Sequence, residues 1–392
     1  PFWLTGGLDL TLSLFESTSG WTTTGLSIVD VARTSSLLLF FRSLLQFAGG
    51  AGLAILMLSA LAGPAGTGLS SAEGRAEQLV PQVRRSARLV LSIYLGYALA
   101  GGSALWLVGM EWFDAVNHAF TALSTGGFST RAGSIGAWGN GGVEAVVVVL
   151  MLLGNLNFLI AYALWRGHFR PVLRNAELQL LAVTLPLAAG MLFFAVTAGT
   201  SPTPVWTAVF EATSALTTTG FATVDYGHWP DFGWLVIIVL MVIGGGTGST
   251  AGGLKQFRIA ALVLGVIEEL RRLLLPRQAV TSPAIWIGEE RRFLTDAQLR
   301  PISLFFFLYL GSLVAGTLVL CAHGYPLGQS LFEFASALGT VGLSCGITAV
   351  DAPATVLWTE MLGMFFGRLE FLVLFTGIAR LLLDLPPLFK PG

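Results

Sequence analysis

The sequence predicts an all-α membrane protein built from four related helix–loop–helix repeats. Three observations carry that expectation: apolar runs long enough to cross a bilayer, basic and acidic connecting segments that alternate, and a short Ser/Thr/Gly phrase that recurs four times. Of the 392 residues, 54% are hydrophobic and 11% charged, against about 25% charged in an ordinary soluble domain. Mean hydropathy is +0.76. Water does not accommodate that much apolar surface, so the bilayer is the expected solvent for much of the chain. A formal net charge of −1 gives no basic signal, and no nucleic-acid partner is expected. Cys321 and Cys345 stand alone, and His118, His168, His228 and His323 are scattered, so neither a disulfide framework nor a metal site is implied.

The apolar runs fall near 36–61, 89–109, 142–165, 178–198, 233–264, 303–322 and 354–383. Each reaches about 20 residues, enough for a hydrocarbon core of about 30 Å. Arginines orient them. Arg75, Arg84, Arg85 and Arg88 lie in 62–88, Arg166, Arg170 and Arg174 in 166–177, and Arg271, Arg272, Arg277, Arg291, Arg292 and Arg300 in 265–302. These segments are cytoplasmic by the positive-inside rule. The opposite side carries Asp30, Glu111, Asp114, Asp225, Asp231 and Asp351, with Arg33 and Arg131. Seven runs are one short of four pairs, and the chain starts at Pro1 rather than methionine. The expectation is that a first outer helix belongs upstream of Pro1.

On the acidic side, segments near 5–35, 112–135, 203–228 and 327–352 are too long for turns and too short to cross. Each begins with about three turns of helix and ends in a Ser/Thr/Gly cluster. Thr203 and Pro204 fit a cap and a first helical position, and Asp114 fits a cap for the second segment. Aligned without gaps, the clusters read Thr22-Thr23-Thr24-Gly25, Ser124-Thr125-Gly126-Gly127, Thr217-Thr218-Thr219-Gly220 and Gly339-Thr340-Val341-Gly342. Such self-similarity is the most informative feature of the chain. A helix that enters a membrane and returns through irregular backbone survives only beside a water-filled cavity or buried in protein. The chemistry suits K⁺, whose hydration shell must be replaced by several oxygens. Extended backbone supplies carbonyls, glycine permits the required φ/ψ, and Thr and Ser hydroxyls add oxygens or brace the loop. The negative end of each short helix favours a cation. The full expectation is four helix–pore-loop–helix repeats with pseudo-fourfold symmetry around one pore, divided as 1–61, 62–166, 167–265 and 266–392.

These phrases, together with Phe41-Arg42-Ser43-Leu44-Leu45-Gln46-Phe47-Ala48-Gly49-Gly50, resemble the TrkH/KtrB/HKT superfamily of potassium transporters over nearly the whole chain. The resemblance implies K⁺ uptake through each subunit, a homodimer, and a cytoplasmic nucleotide-binding regulatory subunit of the RCK/KTN type. With it go a prokaryotic plasma (inner) membrane location, no expected organic cofactor and Na⁺ as a further candidate ion; no catalytic constellation is visible in the sequence, so no enzymatic activity is expected. The incomplete first repeat departs from the family pattern.

The run Gly244-Gly245-Gly246-Thr247-Gly248-Ser249-Thr250-Ala251-Gly252-Gly253 interrupts the fifth span, because helix does not persist through so many glycines. It is no phosphate loop: Lys255 follows Leu254, and no Gly-Lys-Ser/Thr exists. A packing surface of small residues and an unwound segment under the filter both remain. The resemblance implies the second, an intramembrane gate; Lys255 is either a functional intramembrane cation or simply the mark of the gate's cytoplasmic end. Arg368, in the last span, either pairs with Glu370 or snorkels, or faces the pore as a barrier to K⁺; the resemblance favours the pore. Arg42 has no assigned partner. Glu16, His118, Glu211 and Glu333 share one register, nine positions before the glycines. That is about 13 Å of helix, too far for the filter tip, which favours hydrogen-bond anchors over a metal ring. A Na⁺-coupled potassium or small-solute symporter, also built on broken helices, is the rival reading. It predicts two related halves rather than four loops. A membrane-embedded enzyme would need an acid–base cluster or nucleotide site, and the sequence shows neither.

Overall fold

The computed structural model describes residues 1–61, 83–195, 203–275, 284–287, 290–369, 371 and 377. Arg75 and Arg277, Glu370 and most of 370–383 lie outside them. A single turn α1 (Phe2–Thr5) precedes the first repeat, a short α2 (Leu10–Trp21) and a long α3 (Ser36–Leu61). The second repeat has α4 (Val83–Leu107), short α5 (Trp112–Leu123), α6 (Gly141–Asn155) and α7 (Phe158–Trp165). After α8 (Phe169–Arg174), the third has α9 (Ala176–Ala195), short α10 (Pro204–Leu216), α11 (Asp231–Ile243) and α12 (Gln256–Leu274). A hairpin, β1 (Ala284–Ile287) and β2 (Glu290–Phe293), leads to α13 (Asp296–Ala322), short α14 (Leu327–Gly339) and α15 (Ala354–Leu369). Among the described residues, Arg88–Leu107, Ala176–Ala195 and Asp296–Ala322 are long and apolar enough to cross a bilayer. Helix is the natural answer to that solvent, since it pairs its backbone groups internally.

The packing closes a ring. Short α5 lies against α4 and α6 of its own repeat and against α3 of the repeat before. Likewise α10 meets α9, α11 and α6, and α14 meets α13, α15 and α11. The circle shuts where α2 meets α3 and the last helix, α15. Phe15, Phe210 and Phe332 occupy equivalent positions of three short helices and are fully buried. The short helices are therefore the centre, and the longer ones expose apolar faces such as Leu99, Phe194 and Phe307 outward.

Four details differ from the sequence expectation. The run 142–165 is not one helix; it breaks at Leu156 and Asn157, between α6 and α7. The break sends Asn155 and Phe158 to the glycine-rich run: Gly246 N donates to Asn155 Oδ1 at 3.0 Å, and Phe158 N donates to Gly248 O at 3.2 Å. Second, the basic segment 265–302 contains the hairpin, with Ala284 opposite Phe293 and Ile285 buried against Phe257, Ala261, Leu294 and Ile302. Third, Asp114 is no cap. It lies in the first turn of α5, where its carboxylate accepts from Thr130 Oγ1 at 2.7 Å and Arg131 Nη2 at 3.1 Å. Fourth, Thr203 does precede Pro204 at the start of α10, but its side chain makes no capping bond.

Candidate functional site

Each short helix ends in the same backbone path. The amide of the residue before each glycine bonds back to the helix: Thr24 to Ser19 O, Gly126 to Thr121 O, Thr219 to Ser214 O and Val341 to Ser336 O, all at 2.8–2.9 Å. One residue earlier, Thr23, Thr125, Thr218 and Thr340 have φ of 56°, 50°, 53° and 51°. Gly25, Gly127, Gly220 and Gly342 follow at 96°, 70°, 81° and 97°. A β-branched residue in that region costs about 1–3 kcal/mol. Its recurrence at four equivalent threonines marks a conformation that the surrounding structure enforces. Left-handed residues alternating with ordinary ones turn successive carbonyls toward one side of the chain.

The loops meet around one axis. A Cβ on Gly25 would lie 2.1 Å from Gly126 O, and one on Gly127 would lie 2.1 Å from Thr219 O. One on Gly220 would lie 1.9 Å from Val341 O, and one on Gly342 would lie 2.3 Å from Thr24 O. Every glycine thus faces the oxygen before the next repeat's glycine, and the fourth returns to the first. No side chain fits there. The four glycines line a cavity of 350 Å³ together with Ser27, Asp30, Arg131 and Asp225. On the other side sit the four threonines, all fully buried. Among the described residues the hydroxyls of Thr23 and Thr340 have no hydrogen-bond partner. Buried hydroxyls without protein partners are costly, and these two keep oxygens free beside the ring. The ring offers neutral oxygens only, which suits a weakly held monovalent ion more than a divalent one.

The four register-sharing side chains each turn to their own loop. Glu16 accepts from Arg42 Nε at 2.7 Å, Ser27 Oγ at 3.0 Å and Ile28 N at 3.2 Å. Glu211 accepts from Thr223 N at 2.8 Å, Thr223 Oγ1 at 2.6 Å and the Tyr226 hydroxyl. Glu333 accepts from Ser344 Oγ at 2.6 Å, Cys345 N at 2.8 Å and Thr348 N at 3.0 Å. His118 meets Ser129 Oγ at 3.0 Å. They anchor the chain that leaves each loop. Arg42 also covers the Phe128 ring at 4.0 Å and donates to Ser27 Oγ at 2.7 Å.

The run 244–255 leaves α11 and re-enters helix at Gln256. It is not helical, so it is no helix-packing stripe. It doubles on itself, with Gly245 N to Gly252 O at 3.1 Å and Gln256 N to Gly245 O at 2.8 Å. Its far end presses on the threonine ring. Gly252 N donates to Thr218 Oγ1 at 2.7 Å, Thr250 Oγ1 is 3.2 Å from Thr125 Oγ1, and a Cβ on Gly252 would lie 2.0 Å from Thr340 Oγ1. Other elements hold it: Thr250 Oγ1 donates to Leu123 O at 2.9 Å and Gly154 O at 3.0 Å, and Thr247 N donates to Glu177 Oε1 at 2.7 Å. Lys255, with φ of 78°, folds back so that Nζ donates to Ala251 O. Arg368 is buried rather than snorkelling. Its guanidinium donates to Thr250 O of the run and, at 3.3 Å, to Gly49 O of α3.

The profile of the TrkH family, described as cation transport protein, matches residues 6–382. The chain belongs to the TrkH family. The Trk system potassium uptake protein TrkH of Vibrio parahaemolyticus is 32% identical over 384 residues, covering 94% of this chain and 78% of its own. The Trk system potassium uptake protein TrkG of Escherichia coli is 31% identical over 408 residues, covering 96% and 81%. The crystal structure of the potassium transporter TrkH from Vibrio parahaemolyticus matches with a TM-score of 0.83 at 29% identity, over 95% of this chain and 78% of that one. Membership makes the chain a Trk-type, multi-pass transporter subunit of the prokaryotic plasma membrane and not an enzyme.

Within this TrkH-family fold, several residues around the ring carried no individual role from the sequence. Arg42 and Gln46 stand one helical turn apart in apolar α3, and that spacing was their signal. Asn155 closes an apolar run beside Asn157, and Glu177 opens another between Asn175 and Gln179, so their polarity alone did not single them out. Thr250 was assigned with the whole 244–253 run, but nothing in the sequence marked it as the residue that reaches the ring.

Proposed function

We propose that this subunit takes up K⁺ through a filter made by Thr22–Gly25, Ser124–Gly127, Thr217–Gly220 and Gly339–Gly342, with 244–255 as the gate directly beneath it. The observation that carries the reading is the closed ring, in which each glycine leaves room only for the next loop's carbonyl. Oxygens so placed can exchange for the hydration shell of K⁺. The relatives named potassium uptake proteins support the choice of ion. The gate reading is supported by the contacts of Thr250 and Gly252 with the filter threonines. Arg368, tied to the gate at Thr250 O, adds a positive charge beneath the filter that opposes K⁺. The divisions 1–61, 62–166, 167–265 and 266–392 serve as the four filter-bearing units. The TrkH-type resemblance further suggests a homodimer and an RCK/KTN-type nucleotide-binding partner on the basic cytoplasmic side. Na⁺ is the competing ion, either as a leak or as a coupled ion in a symporter.

The test is rubidium-tracer uptake into liposomes with K⁺ or Na⁺ as competitor, for the parent and Gly25→Ser. The expected result is strong competition by K⁺ alone in the parent and weakened discrimination in the variant. Uptake that requires Na⁺ would favour the symporter, and unchanged discrimination in Gly25→Ser would remove the first loop from the filter.

A further inference from the structure

The ring is not chemically uniform. Before each glycine stand Thr24, Thr219 and Val341 in three repeats, but Gly126 in the second. Gly126 is not among the residues of positive φ, so its backbone does not demand glycine. Space does. A Cβ there would lie 2.4 Å from Cδ, 2.5 Å from Oε1 and 2.8 Å from Nε2 of Gln46, its three nearest atoms. Gln46 reaches in from α3 of the first repeat and is fully buried. Nε2 donates to Gly126 O at 2.6 Å, and Oε1 accepts from Phe128 N at 3.1 Å. Chemistry fixes the orientation of the amide, because an N–H of Phe128 requires an oxygen and a carbonyl requires an N–H. The same Gly126 oxygen faces Gly25 across the ring.

We propose that Gln46 is a specificity-determining positioning residue: its amide occupies the place of the side chain missing at Gly126 and pins one ring oxygen by a hydrogen bond. The proposal rests on the filter reading. Na⁺ is smaller than K⁺, so ring oxygens must close further inward to hold it. An oxygen that already accepts a short bond from a packed side chain resists that closure and offers one lone pair fewer. Discrimination against Na⁺ thereby depends in part on a residue that touches no ion.

The test compares K⁺ and Na⁺ tracer uptake in liposomes for the full chain and its variants. Gln46→Met keeps the volume and removes both hydrogen bonds. The expected result is a fall in K⁺-over-Na⁺ preference of about fivefold, the loss of the one bond that holds the ring oxygen of Gly126, with maximal K⁺ uptake changed less than about twofold. Parental preference, or an equal loss of K⁺ and Na⁺ uptake, overturns the proposal and leaves a structural brace. Should Gln46→Met fail to fold, the pair Gly126→Thr and Gly126→Thr with Gln46→Ala decides. The single change should abolish uptake by collision, and the double should recover selective uptake; no recovery overturns the proposal. Gly25→Ser run alongside separates the two levels. If it loses preference while Gln46→Met keeps it, only the role of Gln46 falls. If Gly25→Ser keeps parental preference, the first loop leaves the filter, and the role of Gln46 at the oxygen facing that loop falls with it.

Discussion

Gly252→Ala tests the proposal that the 244–255 loop, rather than the glycine ring, holds the pathway shut. The residue is not among those of positive φ, so alanine meets no backbone obstacle. Its Cβ would lie 2.0 Å from Thr340 Oγ1 and 2.2 Å from Gly339 O. The threonine hydroxyl can rotate away, but the Gly339 carbonyl terminates α14 and is held by it. Ordinary contact distances are about 3.5 Å, so the loop must retreat by about 1 Å. That retreat breaks the bond from Gly252 N to Thr218 Oγ1, now 2.7 Å, and loosens the Thr250 contacts. One or two hydrogen bonds of about 1 kcal/mol each are lost from the seated state. A change of about 1–2 kcal/mol shifts a two-state equilibrium about 5–30-fold. Tracer uptake into liposomes should rise by up to that factor, with K⁺-over-Na⁺ preference unchanged. Parental uptake at parental preference would refute the reasoning, because the loop would then be displaced without consequence. Loss of preference would show that the filter yields before the loop does.

Three other perturbations read neighbouring parts of the site. Arg368→Ala removes a buried cation and its bonds to Thr250 O and Gly49 O; uptake should rise several-fold in a normally folded protein, and a drop in uptake would assign the arginine to structure instead. Arg42→Met leaves Glu16 buried and without its ion pair, a loss of about 3–5 kcal/mol. The double variant Arg42→Met with Glu16→Gln should regain part of the lost thermal midpoint, and equal midpoints for single and double would mean that the two are uncoupled. Glu177→Leu deletes the acceptor for Thr247 N and should raise uptake about fivefold, the value of one hydrogen bond. A parental rate would show that the loop needs no anchor from α9.

The loops were legible in the sequence because their requirement is local. A left-handed turn of backbone at each site must be written in the residues of that site, and so Gly25, Gly127, Gly220 and Gly342 appear in one register four times. The spans were legible for a similar reason, since the bilayer imposes hydrophobicity on each helix separately. The packing between repeats was written nowhere in particular. Gln46 and Gly126 are 80 positions apart, and Thr250 and Leu123 are 127 apart. Neither pair leaves a periodicity or a motif. The break at Leu156 and Asn157 was hidden too, because the apolar runs on either side are long enough to read as one continuous helix, and only the neighbouring loop's Gly246 amide and Gly248 carbonyl draw Asn155 and Phe158 away. The hairpin at 284–293 is too short for its alternation to stand out, and it is fixed by burying Ile285 against α12 and α13. Residue type and spacing thus determined which four loops exist and where each needs a glycine, while the left-handed threonine before each glycine is imposed by the surrounding structure. Tertiary structure alone decided which loop faces which and what holds the glycine run beneath them, because those contacts satisfy hydrogen bonds between groups that no local sequence rule connects.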